Sequence, residues 1–170
     1  MLNIFITNLG KYNEGELVGE WVSLPATADE LEAVYKRIGI NEEYDEMFIT
    51  DYEKDIEGLE VGEYSNISYL NELAEKLEDV SEEEKKAIQA MLLDGWEFED
   101  ALEKATDGDF NIYYNCNDMT DVAHQVVEER GYLNQIPEEL RYYFDYEAYG
   151  RDLDIEGKFY YIDGDMIEIF

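Results

Sequence analysis

Few residues of this chain have catalytic or metal-binding chemistry. His124 is the only histidine and Cys116 is the only cysteine. Imidazole can act as a general base and thiolate as a nucleophile, but such a pair needs spatial contact, which this spacing does not indicate. The valines at positions 122, 126 and 127 around His124 are typical of an amphipathic helix. We therefore expect a structural or exposed histidine, no catalytic residue and no enzymatic activity.

Carboxylates are abundant, but their spacing does not match the EF-hand calcium loop. Asp107, Asp109 and Asn111 resemble the first half of an EF-hand loop. The sixth position is Ile112 instead of glycine and the twelfth is Asp118 instead of glutamate, so the defining residues are absent. The usual Cys/His zinc ligands are absent too. Paired carboxylates for glycoside hydrolysis stay open, since 44 acids give very many pairs. We predict no metal and no cofactor.

The strongest chemical signal is the charge. The 170 residues include 44 Asp and Glu against 12 Lys and Arg, a formal charge of −32, yet 45% are hydrophobic. Such a chain can build cores, so we predict a folded protein that bears the cost of self-repulsion. The charge is even, at −11 over residues 1–60, −10 over 61–108 and −11 over 109–170. It argues against docking on nucleic acid or a membrane, and favours a basic partner surface.

The Tyr142–Asp154 segment, YYFDYEAYGRDLD, combines five aromatic side chains with four acids and one arginine. A solvated face needs fewer aromatic residues, and a core tolerates fewer carboxylates. We therefore predict a surface that is both adhesive and strongly negative.

Turn and capping signals divide the chain into three small units, which predicts an α+β fold. Residues 1–61 predict an N-terminal α+β domain, 62–108 a helical middle domain, and 109–170 a C-terminal α+β domain. Strands are predicted at Leu2–Leu9, Leu17–Leu24, Glu46–Tyr52, Phe110–Tyr114, Lys158–Ile162 and Met166–Phe170. The last two flank Asp163-Gly164, which is typical of a tight hairpin turn.

Helix signals lie between these strands. Capping boxes at Thr27/Glu30 and Ser81/Glu84 predict two helix starts, and N-caps at Ser65 and Asp118 predict two more. A further short helix is predicted around Phe98, Ala101 and Leu102. Pro137 is predicted as a first helical residue, with Leu140, Tyr143 and Phe144 at helical spacing behind it. Gly10–Gly15 is predicted as a turn or longer loop.

The charge density allows a specific interpretation. Duplex DNA carries one negative charge per roughly 1.7 Å, so 32 charges would match roughly 54 Å of duplex. Carboxylates at helical spacings i, i+3 and i+4 lie roughly 5–6 Å apart and could imitate a row of phosphates. The chain could thus occupy a DNA-binding groove. A plainer alternative is that the acidity serves solubility or salt adaptation.

Two long stretches resemble a known family. Asn8–Leu17 (NLGKYNEGEL), followed by Gly19 and Trp21, resembles the N-terminal signature of the ArdA antirestriction proteins. Asp145–Leu153 (DYEAYGRDL) is similar to the antirestriction motif of that family. The resemblance also covers Cys116–Met119 and Asp121–Ala123.

The resemblance implies elongated three-part α+β proteins, carried by mobile genetic elements, that mimic B-form DNA. They occupy the DNA-binding groove of type I restriction–modification enzymes and form homodimers through the C-terminal part. It places the chain in the cytoplasm of a bacterial host cell. The single cysteine, the lack of a signal peptide and the lack of a membrane-spanning run agree with that compartment.

The resemblance also implies site residues. The expected antirestriction or partner-binding residues are Asp145, Glu147, Arg151, Asp152 and Asp154. The residues expected in a dimer interface or the local core are Tyr143, Phe144, Tyr146, Tyr149 and Leu153. We expect Arg151 to pair with a nearby carboxylate. Full burial of Phe144 would make its replacement by alanine cost about 3–5 kcal/mol.

Other functions stay open at this point. The chain could be an acidic interaction protein aimed at another DNA-binding protein, such as a nucleoid protein or a defence nuclease. An enzyme that uses carboxylates would instead turn over a substrate. The Tyr142–Asp154 segment could act by dimerisation or by direct contact with the partner.

Overall fold

A computed structural model describes every residue of the chain, Met1–Phe170. It is an α+β protein with two antiparallel three-stranded sheets, and this confirms the predicted fold class. Contacts divide the chain into two compact units, Met1–Val80 and Ser81–Phe170. The division into three parts at residues 61 and 108 stays a prediction.

The first unit contains one sheet and three helices. Its strands are β1 (Leu2–Asn8), β2 (Gly19–Leu24) and β3 (Met47–Lys54), with β1 in the centre between β2 and β3. Its helices are α1 (Leu9–Asn13), α2 (Ala28–Arg37) and α3 (Ile67–Glu78). Alternating side chains of β1 build the core, since Leu2, Ile4 and Ile6 are all buried. Helices α2 and α3 both contact β2.

The second unit contains the other sheet and five helices. Its first three elements are α4 (Glu82–Leu93), α5 (Phe98–Asp107) and β4 (Phe110–Tyr113). They are followed by α6 (Met119–Glu129), a short 3-10 helix (Tyr132–Gln135), α7 (Glu138–Arg141) and α8 (Tyr146–Glu156). The chain ends in the hairpin of β5 (Lys158–Ile162) and β6 (Asp165–Ile169), with β6 between β4 and β5.

Local sequence signals place most of these elements correctly. Both capping boxes are present: the side chains of Thr27 and Ser81 accept the backbone N–H three residues on, and the two glutamates bond back to the cap. Asp118 caps α6 as predicted. Asp163 and Gly164 both have positive φ, 48° and 88°, which is the geometry of a tight two-residue hairpin.

Two predictions in the first unit are wrong in detail. The predicted turn over Gly10–Gly15 contains most of α1, because the side chain of Asn8 accepts the N–H of Lys11 at 3.0 Å and starts a helical turn. The cap of α3 is Asn66 instead of Ser65. The Asn66 side chain accepts the N–H of Tyr69, whereas the Ser65 hydroxyl accepts the N–H of Gly62.

The segment after Pro137 also differs from its prediction. Pro137 lies at the N-cap of α7, with an extended ψ of 142°, one residue before the first helical residue. Helix α7 ends at Arg141, so Tyr143 and Phe144 lie beyond it. A new helix, α8, then begins behind Asp145, whose carboxylate accepts the N–H of Ala148 at 2.9 Å. Helix α8 was not predicted from the sequence.

Candidate functional site

Helix α8 carries most of the Tyr142–Asp154 segment, and one face of it is anchored in the second unit. Tyr149 and Leu153 pack against the core cluster. The members of this cluster are Tyr113, Cys116, Val122, Val126 and Met166. The anchored face therefore fixes which side of α8 is left for solvent.

Gly150 allows α8 to approach α6 closely. A Cβ atom at this position would lie 2.5 Å from the backbone oxygen of Met119, which is too close for any side chain. Gly150 is buried, and α6 and α8 are in extensive contact. The glycine is therefore required by packing between the two helices, although glycine weakens a helix interior.

Aromatic rings cover the start of α8. The Tyr146 ring lies over the His124 ring with centroids 3.6 Å apart and planes 17° from parallel. Phe144 packs edge-on against Tyr146 at 4.8 Å and against Tyr149 at 5.8 Å. His124 is exposed and stacked on Tyr146, so the expectation of a structural or exposed histidine is confirmed.

Cys116 is buried and has no reactive partner. Its Sγ accepts a hydrogen bond from Nε2 of Gln125 at 3.2 Å, and the thiol contacts the carbonyl oxygen of Tyr114. Burial, together with nearby carboxylates, raises the pKa of the Cys116 thiol to about 11. A neutral thiol is a poor nucleophile, so this cysteine fills space in the core.

The opposite face of α8 presents charge. All five predicted partner-binding residues are exposed: Asp145, Glu147, Arg151, Asp152 and Asp154. Nη1 of Arg151 lies 2.9 Å from Oε1 of Glu147, one helical turn earlier, which confirms that Arg151 pairs locally. The arginine therefore leaves the negative surface largely intact. The Asp145 carboxylate also serves as the helix cap.

The predicted interface-or-core residues separate into two groups. Tyr149, Leu153, Phe144 and Tyr146 are half-buried within the second unit. Tyr143 is 82% exposed and its neighbour Tyr142 is 98% exposed, so neither belongs to the core. Full burial of Phe144 is thus not observed, and the free-energy estimate that assumed it does not apply.

Almost every carboxylate of the chain faces solvent. Of the 44 acids only Asp165 is buried. Burial of the Asp165 carboxyl opposes ionisation, but Nζ of Lys86 at 2.5 Å and the N–H of Asn115 at 2.8 Å hold its pKa below the usual range. Its charge is therefore used inside the fold, whereas most of the other carboxylates are exposed at the surface.

The basic side chains do little to offset this surface. At least nine of the 12 Lys and Arg residues form ion pairs with carboxylates of the same chain. Met1–Val80 has 20 acids and 5 bases, a net −15, and Ser81–Phe170 has 24 acids and 7 bases, a net −17. Each unit is therefore strongly negative by itself.

One surface was not predicted from the sequence. The first unit has an open groove of about 610 Å³ on its sheet, which we call the aromatic groove. Its lining includes Phe5, Tyr12, Leu17, Trp21, Phe48 and Asp51. The period-2 alternation of β1 and β2, which puts Phe5 and Trp21 on the face opposite the buried isoleucines and valine, was the available signal.

Comparison with known families decides what kind of protein this is. The model of the family described as antirestriction protein (ArdA) matches residues 4–168. This chain belongs to the ArdA family. The match covers both compact units and nearly the whole sequence, so it includes α8 and the aromatic groove. A comparison with curated proteins found no match. None of the helices combines the length and apolar character that a membrane span requires.

Membership in the ArdA family indicates which class of partner the exposed carboxylates would meet. ArdA proteins are antirestriction proteins, so the partners in question are restriction–modification enzymes. The surface of this chain presents many exposed carboxylates on a folded scaffold. Helix α8 is one well-anchored part of that negative surface.

Proposed function

We propose that this ArdA chain imitates B-form DNA with its surface carboxylates and occupies the DNA-binding groove of a type I restriction–modification enzyme. The observation that carries the proposal is that 43 of the 44 carboxylates lie outside the buried interior while most bases are paired within the chain. DNA-binding grooves are lined with Lys and Arg that contact phosphates. A dense carboxylate surface offers these side chains the same kind of partner.

Pre-folded carboxylates have an energetic advantage over DNA. Enzymes that bend a site of 20–30 base pairs incur an elastic cost of about 1–6 kcal/mol. A folded inhibitor that already presents its charges in the required arrangement does not incur that cost. Its binding is spread over many weak contacts, so it depends on salt as protein–DNA binding does.

The exposed side of α8 supports two roles in the proposal. Asp145, Glu147, Asp152 and Asp154 extend the negative surface that the enzyme meets. Tyr142 and Tyr143 are large aromatic side chains in open solvent, and this supports a homodimer contact next to the same helix. In such a dimer the carboxylates of two copies would form one longer negative surface within a bacterial cytoplasm.

Competitive displacement tests the proposed function. The purified chain is titrated into a type I restriction–modification enzyme bound to labelled DNA, at low and at physiological salt. We expect displacement of the DNA that weakens steeply as salt rises. No displacement at low salt by a folded chain would contradict the proposal. A parallel titration against a nucleoid protein and an unrelated nuclease tests the alternative partners, and selective displacement from one of those would replace the type I enzyme as the target.

A further inference from the structure

The aromatic groove lies on the face of the first sheet opposite its buried core. Phe5 of β1 and Trp21 of β2 are direct cross-strand partners, with ring centroids 5.4 Å apart and planes at 67°. Gly19 leaves space for the Phe5 ring, since a Cβ atom there would lie 2.5 Å from Cε1 of Phe5. Trp21 is 44% exposed, so much of its indole surface faces solvent.

Two further aromatic residues, Tyr12 and Phe48, line the groove. Tyr12 of α1 packs edge-on against Phe48 of β3 with centroids 5.2 Å apart. The Tyr64 ring lies outside the groove lining and stacks on Phe48, with centroids 6.3 Å apart. Tyr12 and Tyr64 are 51% and 71% exposed. Exposed aromatic side chains grouped on one face of a sheet are typical of a binding surface.

Two carboxylates lie in the same groove. Asp51 is the direct cross-strand partner of Phe5, and Glu63 lines the groove with it. The Asp51 carboxylate accepts a hydrogen bond from the N–H of its neighbour Tyr52 at 2.9 Å, and the structure gives neither acid an ion-pair partner. The groove therefore combines aromatic surface with negative charge that is not yet neutralised.

We propose that the aromatic groove binds an arginine side chain on a basic segment of the partner protein. A guanidinium group is planar and weakly hydrated, stacks on aromatic rings and donates paired hydrogen bonds to the two oxygens of a carboxylate, whereas an ammonium group is compact and strongly hydrated. The carboxylates of Asp51 and Glu63 favour a cation. The aromatic rings favour a guanidinium group over an ammonium group, because only the guanidinium is planar and can stack on them. DNA-binding proteins contact phosphates through Arg and Lys. The identity of the partner rests on the proposed function.

Stacking of an arginine in the aromatic groove would add binding energy that depends little on salt, which imitation of DNA charge alone does not provide. Screening shortens the reach of exposed charges to about 3 Å at 1 M salt. Stacking of a guanidinium on Trp21, Phe5 or Tyr12 depends far less on ionic strength. The groove therefore distinguishes arginine from lysine and retains part of its binding when salt has weakened the rest of the negative surface.

Nuclear magnetic resonance on the full-length ¹⁵N-labelled chain tests the groove directly. Trp21 and Trp96 are the two tryptophans, so their indole N–H signals report on the groove and on a site in the second unit. The probes are the blocked peptides triarginine and trilysine, at low salt and at about 0.5 M NaCl. We expect triarginine to shift the Trp21 signal saturably, with an affinity at least about fivefold higher than that of trilysine, and this preference to persist in salt.

Variants identify which groups carry the binding. Tyr12→Leu and Asp51→Asn should each weaken triarginine binding at Trp21 by at least about threefold. Tyr161→Leu, an exposed tyrosine of the second unit, and Glu129→Gln are matched controls that should leave it unchanged. Equal responses to both peptides, a Trp21 shift that vanishes with salt, or equal losses in the control variants would overturn the proposal.

The two proposals fail separately. Displacement of DNA from the enzyme together with a Trp21 signal indifferent to triarginine would overturn the groove and leave the DNA imitation standing. Arginine-selective binding at Trp21 without displacement of DNA would instead support the groove and reject the type I enzyme as its partner.

Discussion

Phe144 illustrates how single side chains hold the Tyr142–Asp154 segment. It is half-buried between the edges of Tyr146 and Tyr149. We predict that Phe144→Ala lowers the free energy of unfolding by about 2 kcal/mol, less than the 3–5 kcal/mol typical of a fully buried ring. Urea denaturation measures the change. Tyr143→Ala, at an 82% exposed position, is the control and should change stability by less than about 0.5 kcal/mol. Equal losses in both variants would contradict the assigned packing.

Cys116 gives a second prediction at this scale. Because burial and nearby carboxylates raise its thiol pKa to about 11, very little thiolate exists at pH 8. Alkylation by iodoacetamide should therefore be at least about 100-fold slower in the native chain than in urea. N-acetylcysteine, measured in both solutions, corrects for the effect of urea on the reagent. Similar rates in the native and unfolded chain would show that the thiol is accessible.

Helix packing sets the position of the exposed α8 face. A methyl group at Gly150 would meet the backbone of Met119, which cannot move aside as a flexible side chain can. We predict that Gly150→Ala destabilises the chain by about 1–3 kcal/mol, despite the better helix propensity of alanine. Gly62→Ala is the matched control, because a Cβ there would be in ordinary contact with Ser65. A stabilised Gly150→Ala variant would refute the close approach of α6 and α8.

Asp94 connects α4 to β5 and makes this connection sensitive to acid. Hydrogen bonds from Lys158, Tyr160 and Trp96 lower the pKa of Asp94 to about 2. A lowered folded-state pKa stabilises the fold above the unfolded-state value of 3.8 and loses that contribution as the pH falls toward 2. The carboxylate is partly solvated, so the contribution is about 1–2 kcal/mol.

The variant Asp94→Asn measures this contribution. At pH 7 it should be less stable than the parent by that amount, and the difference should shrink between pH 4 and pH 2. Thermal unfolding over this range provides the measurement. Glu129→Gln, on the exposed side of α6, should show no such pH-dependent difference. A difference that stays constant down to pH 2 would indicate an uncharged role for Asp94.

At the scale of the whole molecule, the proposed function predicts that inhibition depends on groups of carboxylates. Glu42, Glu43, Asp45 and Glu46 are all exposed in the loop before β3. Neutralising Glu42 alone should weaken inhibition by less than about 1 kcal/mol, whereas neutralising all four as amides should weaken it by roughly 1–4 kcal/mol. The DNA-displacement titration at low salt measures both.

Exchanging Asp and Glu at the same four positions is the matched control for that variant. It keeps the charge and changes side-chain length, so inhibition should be preserved. A complete loss of inhibition from one neutralised surface acid in a folded chain would contradict the distributed mechanism.

Local chemistry explains which parts of the fold were predictable. The capping boxes at Thr27 and Ser81 and the turn at Asp163-Gly164 are formed by residues within four positions of each other, so their signals are complete in the sequence. Ser65 and Asn66 are both good caps, and the sequence cannot rank them. Helix α8 was missed although Tyr146, Tyr149 and Leu153 fall on one helical face, because an interior glycine weakens a helical pattern.

The candidate site was predictable only where it depends on composition. The acidic surface and the local pairing of Arg151 follow from residue types and helical spacing. Gly150 is required because its helix packs against the backbone of Met119, 31 residues earlier in the chain. The exposure of Tyr143 depends on where α7 ends. The aromatic groove requires the pairing of β1 with two other strands, and this register is not visible in any single segment.

The separation of carboxylates from the cores has a consequence for how this sequence can evolve. With Asp165 the only buried acid, a substitution at an exposed acid that neither caps a helix nor pairs within the fold leaves the packing of the cores unchanged. The positions of these exposed acids can therefore change during evolution while the fold stays the same. Under the proposed function the target enzyme is more constrained. An arginine or lysine that is substituted to prevent binding of the inhibitor is also lost as a contact to DNA. The inhibitor can therefore accumulate surface substitutions with little loss of stability. Each substitution by which the enzyme escapes inhibition also weakens its own binding to DNA.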